Sequence, residues 1–253
     1  MLENVAAEIF PGLLVTQQQP YTIAETADID AFLCALSPST GIGAKAIHRS
    51  LIYRGHSRAS WKLIPASRRK SSWPPAMTTG HTDDKLWNRL ASEAAALLTF
   101  CQNADRRGLA VPNHSWLTRN LRGRQFALMG GNAEAITSWP PEEALEAMAL
   151  AQHYRIPTCL LDFSWDPFVA AYFAVVGWID SREVDEPLCV WIIDDPNFAM
   201  YRSSANHSLG LVIPPASDNQ TLQAQEGLFI YGRPNQLSVP DAANEFVEPE
   251  FIR

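Results

Sequence analysis

The chain has 253 residues, of which 47% are hydrophobic, and a formal net charge of −7. That is apolar matter for one large domain, or a domain with an appended lobe, and it excludes disorder over most of the length. The negative charge argues against generic binding to a phosphate backbone, which leaves only local basic patches for anion contacts.

Residues 1–20 are short and mixed and end in a glutamine run before Pro20, so they read as a flexible or edge segment. "TIAETADIDAFLCALS" carries Ile29, Phe32, Leu33 and Leu36 at amphipathic helix spacing, with acids early. "PSTGIGAKA" reads as a loop, and "LIYRG" (51–55) as a short strand stopped by Gly55. The prolines and serines of 65–83 are loop chemistry. Two basic runs stand out there and later: Arg68, Arg69 and Lys70, then Arg119, Arg122 and Arg124. Each reads as solvated charge or as an anion contact.

Leu86, Leu90, Ala94, Leu97, Leu98 and Cys101 recur at helical spacing, and Gly108 closes that helix. "PEEALEAMALAQHY" predicts a second helix, with prolines at its start and glutamates in its first turn, where the dipole favours them. "TCLLDFS" predicts a strand and "DPFVAAYFAVVGWI" a helix, with Asp166 as N-cap and Pro167 in the first position. "EPLCVWIIDD", "LGLVIPP" and "GLFIYG" predict further strands. Helices dominate the first two-thirds and strands the last third, so the fold class is α+β with a mixed or antiparallel sheet. No apolar run reaches the ~20 residues that span a bilayer, and the N-terminus lacks a secretory pattern. The four cysteines are widely spaced, without a CxxC pair. They read as reduced thiols in a cytoplasmic protein rather than as a disulfide scaffold or zinc site.

Asp162 poses the sharpest question, because a carboxylate inside an apolar strand must be paired or functional. Around it stand Gln152, His153, Tyr154 and Ser164. His153 reads as a general base, a ligand, or a helix-terminal histidine favourable to the dipole. Cys159 with His153 raises a thiol nucleophile as an alternative to packing. Arg54 before Gly55 presents a rigid guanidinium fork, with glycine allowing close approach of a ligand or an unusual dihedral. Gln225 and Glu226 precede a strand, where a side-chain carboxylate or amide can orient a sugar hydroxyl.

Together "LIYRGHSRASWKLIPASRRK", "LAQHYRIPTCLLDFSWDPFVAAYFAV" and "LQAQEGLFIYG" resemble the FRG domain family, over about residues 28–232. Residues 1–27 and 233–253 are then an N-terminal segment and a C-terminal tail. The middle stretch departs from the family pattern at Arg155, where glycine is usual, at Cys159, where arginine is usual, and at Ser164, where threonine is usual. Members of the family look like bacterial and phage-associated cytoplasmic proteins, which implies a regulatory or defence setting.

A second, weaker resemblance is to ADP-ribosyltransferases. Their ordered motifs are an early arginine, a serine strand leading into a helix, and a late glutamate or glutamine. Here these fall on Arg54, Ser164 and Gln225 or Glu226; only one serine of the usual triplet is present. The resemblance implies a split sheet and NAD as substrate. It further implies catalytic roles for Arg54, Ser164, Gln225 and Glu226, with Tyr53, Gly55, His153 and Asp162 lining the nucleotide site. The acceptor is protein, nucleic acid or water. A non-catalytic nucleotide- or nucleic-acid-binding module is the alternative. A hydrolase built on His153, Asp162 and Asp166 with a divalent metal is a third reading.

Overall fold

The computed structural model describes residues 13–18, 21–40, 51–69, 86–181, 186–194, 209–214 and 227–233. The apolar runs bounded by Gly, Pro and Asp become strands of one five-stranded sheet: β3 (Leu51–His56), β4 (Leu160–Ser164), β5 (Cys189–Asp194), β6 (Leu209–Val212) and β7 (Gly227–Gly232). Their order is β5-β3-β4-β7-β6, and every pairing is antiparallel. A separate hairpin pairs β1 (Leu14–Gln18) with β2 (Tyr21–Glu25). The class is therefore α+β, with the sheet wholly antiparallel among the described residues.

The helices are α1 (Ile29–Leu36), α2 (Leu86–Arg106), α3 (His114–Met129), α4 (Ala133–Thr137), α5 (Leu145–His153) and α6 (Pro167–Ser181). The main core forms where α2 to α5 bring Leu90, Leu97, Leu117, Leu121 and Met148 against Leu160, Val212, Phe229 and Tyr231 of the sheet. Strand alternation puts Leu161, Phe163, Leu228 and Ile230 on the opposite face, where they pack with Ile52 and Leu63. Helix α6 lies over the β3–β5 half of the sheet, against Leu51, Tyr53, Val190 and Ile192.

Gly55 makes that docking possible. A Cβ built on it falls 1.9 Å from the Ala170 carbonyl oxygen and 2.8 Å from the Ala174 amide nitrogen. The close approach that this glycine permits is that of a helix backbone. Ala170 and Ala174, one turn apart, keep the helix side equally thin.

Several sequence expectations need correction. The helix expected across 22–37 begins only at Ile29, capped by the Asp28 side chain on the Asp30 amide, and Tyr21–Glu25 is strand. The segment read as flexible or edge contains β1, an edge strand paired in register with β2. Helix α3 is not among the elements the sequence predicts. Its arginines hide a run of Leu117, Leu121 and Leu128, all fully buried. The "PEEALEAMALAQHY" helix opens with a 3₁₀ turn over Glu142–Ala144 before α5 proper. Within the expected 65–83 loop, Ala66–Arg68 is a 3₁₀ turn, and residues 70–83 lie outside the described residues.

Helix α5 ends in a Schellman motif. The Arg155 amide donates to the Gln152 carbonyl at 2.8 Å and the Ile156 amide to the Ala151 carbonyl at 3.0 Å. Arg155 occupies the left-handed position, with φ of 63°. A β-carbon is disfavoured there, by about 1–2 kcal/mol for an L-residue. Arg155→Gly is expected to raise stability by up to about 1 kcal/mol, read as a higher denaturation midpoint at unchanged slope. An unchanged or lower midpoint would contradict this account of the turn.

Candidate functional site

Strands β3 and β4 share one register pair, Tyr53 with Ser164. Beyond it the strands part, and the Arg54 side chain fills the gap. Its Nη1 donates to the Asp162 backbone carbonyl at 2.6 Å and lies 2.6 Å from Asp162 Oδ1. A guanidinium thus satisfies a strand carbonyl. The Arg54 side chain is 11% exposed, whereas that of Asp162 is 62% exposed, so the pair opens to solvent on the carboxylate side.

Both partners are held from behind. The Arg54 Nε–H donates to His56 Nε2 at 3.0 Å. His56 Nδ1 lies 3.2 Å from the Trp61 carbonyl oxygen and 3.2 Å from Trp191 Nε1. The Trp191 indole N–H also points at Nδ1, but Arg54 can only donate, so Nε2 accepts. The neutral ring then carries its proton on Nδ1, which donates to Trp61 and is closed to the Trp191 N–H. Burial, and next the Arg54 charge, push the His56 pKa down from 6.5 to about 4, so the ring is neutral at pH 7. On the other side, Gln152 Nε2 donates to Asp162 Oδ1 at 3.3 Å, while Thr158 Oγ1 donates to Gln152 Oε1. The Thr158 hydroxyl oxygen accepts the Leu160 amide at 3.3 Å, tying this chain to the start of β4.

Crowding by surrounding protein raises the Asp162 pKa, but the Arg54 charge and hydrogen bond outweigh it and leave the carboxyl below its ordinary value. Arg69 joins the same field. Burial and the like charge of Arg54 lower its pKa, and Asp162 acts in the opposite sense. Its Nε donates to the Ile64 carbonyl at 2.9 Å. Two guanidiniums around one exposed carboxylate leave a local positive excess in a protein of negative net charge. An anion can compete there for the donors that Asp162 holds.

The basic run at 68–70 therefore splits. Arg68 turns inward, 3.4 Å from Glu93 Oε2, with both side chains almost fully buried. Glu93 also accepts the Trp139 indole N–H at 3.0 Å and the Cys159 amide. This network joins α2 to the entry of β4. Lys70 lies outside the described residues. In the second run Arg119 donates to the Ser115 carbonyl, and Arg124 donates to Ser138 Oγ and lies over the Trp116 ring.

The remaining sequence candidates fall in different places. Ser164 is buried next to the site, and its Oγ accepts the Asp166 amide at 2.9 Å, shaping the turn into α6. Asp166 Oδ1 accepts the Phe168 amide at 2.7 Å, the cap that the sequence predicts. Tyr53 is buried beneath α6. His153 is the exposed last residue of α5, edge-on to the Tyr154 ring. Burial and the Glu93 charge push the Cys159 thiol well above its ordinary pKa, which argues against a thiolate nucleophile. Among the described residues no cluster of three His, Cys, Asp or Glu side chains can hold a metal ion. Gln225 and Glu226 lie outside the described residues, but Gly227, the next residue in sequence, pairs with Ser164. No helix among the described residues is long and apolar enough to cross a membrane.

Comparison with protein families matches the FRG domain over residues 49–182. The chain belongs to the FRG domain family. No curated protein and no solved structure matches it. The matched span of the FRG domain contains β3, β4 and α6 and the side chains of the Arg54–Asp162 network except Trp191, whereas β5, which carries Trp191, and β6 and β7 complete the sheet beyond it. Gly55 admits α6, and Arg155 stands at a left-handed turn. His56, Gln152 and Thr158 carry the second layer of the site. The sequence presents each beside a motif residue, but only the fold reveals what each one touches.

Proposed function

We propose that the cleft between β3 and β4 binds NAD and cleaves its nicotinamide–ribose bond, as an ADP-ribosyltransferase or glycohydrolase in a bacterial or phage-related regulatory or defence setting. The observation that carries this reading is the strand order. The three strands that bear or follow the arginine, serine and glutamine–glutamate motifs are neighbours, β3-β4-β7, and Gly227 faces Ser164. Arg54, with Arg69 nearby, supplies charge-assisted donors for a pyrophosphate. Glu226 or Gln225 holds the ribose 2′-hydroxyl. The C1′–N bond breaks with its electron pair leaving on nicotinamide, and the carboxylate stabilises the oxocarbenium-like transition state. A nucleophile of protein, nucleic acid or water then bonds to C1′ and gives up a proton.

The test is release of free nicotinamide from NAD. Turnover is expected in the unmodified protein and a drop of at least about 100-fold in Arg54→Ala and in Glu226→Ala, with melting of each variant measured as the control for folding. Full turnover in both variants would end the proposal.

A second reading, a nucleotide-binding module without turnover, is favoured by one feature: Arg54 is already engaged by Asp162 at 2.6 Å. Saturable binding of NAD without nicotinamide release would select it.

A further inference from the structure

We propose that His56 is a positioning residue that aims the Arg54 guanidinium at its anion, and that it works only as a neutral hydrogen-bond acceptor. The proposal rests on the anion-binding reading of the cleft. Arg54 has three nitrogens to direct. Nη1 is spent on Asp162, through both the backbone carbonyl and Oδ1. Nε is spent on His56 Nε2, 3.0 Å away. These two fixed points lie on different nitrogens of one planar fork and so set its plane, and the whole fork then points from the β3–β4 gap towards the exposed carboxylate. An arginine without the rear contact keeps its charge but loses its aim, and a misplaced donor forfeits much of its benefit to a bound anion.

His56 is suited to the task by its surroundings. It is 4% exposed. Trp61 and Trp191 stand edge-on at ring-centre distances of 6.1 and 6.4 Å. Its Nδ1 proton is taken by the Trp61 carbonyl, which leaves Nε2 with a lone pair for Arg54. The charged groups that act on the ring are Arg54 on its own strand, Arg69 after the 3₁₀ turn and Asp162 on β4. The two arginines oppose protonation and the carboxylate favours it. A protonated ring would turn Nε2 into a donor facing another donor, so the Arg54 contact exists only while the ring is neutral.

The first measurement needs no ligand. Nitrogen-15 spectra of the histidine ring in the full chain are expected to show Nδ1 protonated and Nε2 bare at pH 7, with no titration down to about pH 5. A ring that titrates near 6.5, or that carries its proton on Nε2, would overturn the proposal. The second compares His56→Gln, whose amide oxygen can accept the same N–H, with His56→Leu, which cannot. ADP-ribose is the probe and melting the control for folding. The glutamine variant is expected to keep affinity within about threefold and the leucine variant to lose at least about tenfold, the order expected for one charge-assisted hydrogen bond. Equal affinities in the two variants overturn the proposal. If the unmodified protein binds no ADP-ribose, the reading of the cleft fails by itself. The Arg54 Nε–H resonance then decides this inference: slow solvent exchange in the unmodified protein and the glutamine variant supports it, and fast exchange in both overturns it.

Discussion

Replacing Gly55 with alanine is expected to destabilise the protein by at least about 3 kcal/mol, the upper end of what overpacking costs. The added carbon would lie 1.9 Å from the Ala170 carbonyl oxygen and 2.9 Å from the Ala170 carbonyl carbon. Both are backbone atoms in the first turn of α6, so no side chain can swing aside. The helix must lift off β3, and the packing of Leu51 and Tyr53 beneath it loosens with it. Gly55→Val should leave little soluble protein. Gly123→Ala in α3 is the control. Its added carbon meets nothing within 4 Å, and a glycine inside a helix costs about 0.5–1 kcal/mol relative to alanine, so that change should stabilise. Denaturant unfolding of the two variants should give shifts of opposite sign. A Gly55→Ala protein as stable as the parent would refute the docking geometry.

Glu93→Ala is expected to cost about 3–5 kcal/mol, the usual result of removing one member of a buried ion pair. The Trp139 indole and the Cys159 amide lose their acceptor, and the Arg68 guanidinium loses its counter-charge. For a chain of this size that corresponds to a melting shift of roughly 6–20 °C. The pairing predicts non-additivity. Once Glu93 is gone, Arg68→Met removes an uncompensated buried charge and should recover part of the loss. A double variant that melts at the sum of the two single losses would show that the pair is not coupled. Because Cys159 leads directly into β4, the Glu93 variant should also weaken the site at Asp162, which has no contact with Glu93 among the described interactions.

The strands and α6 were legible because their signals are local. "LLDFS", "CVWIID" and "GLFIYG" are β-type runs bounded by turn residues, and Asp166-Pro167 marks a helix start wherever it is placed. The hairpin of β1 and β2 was not legible. Its strands contain Gln17, Gln18 and Thr22, whose composition matches a loop, and only their mutual register makes them a pair. Helix α3 was masked by Arg119, Arg122 and Arg124, which blur the contrast between its two faces, although the spacing of Leu117, Leu121 and Leu128 carried the period.

The site was half legible. The sequence asks for a partner for Asp162 because it sits in an apolar strand. The fold supplies Arg54 from a strand 108 residues earlier but leaves the carboxylate 62% exposed rather than buried. Nothing in the local sequence distinguishes Arg68, which enters the core, from Arg69, which stays at the cleft. That sorting depends on where Glu93 sits. His56 was hidden, since it takes its meaning from the Arg54 guanidinium beside it, whereas Gln152 stood among the polar residues near Asp162 and the fold adds the contact itself. Gly55 was expected to make room for a ligand or an unusual dihedral, and it makes room for a helix.

The central claim is that Arg54, aimed between Asp162 and His56, is the anion donor of a nucleotide site. Calorimetric titration of ADP-ribose into the full chain and into Arg54→Ala tests it without requiring turnover. The expected result is one-to-one binding that weakens by about 10- to 100-fold in the variant, the worth of a charge-assisted contact. Isotherms that superimpose, or an unmodified protein that takes up no ADP-ribose, would contradict it.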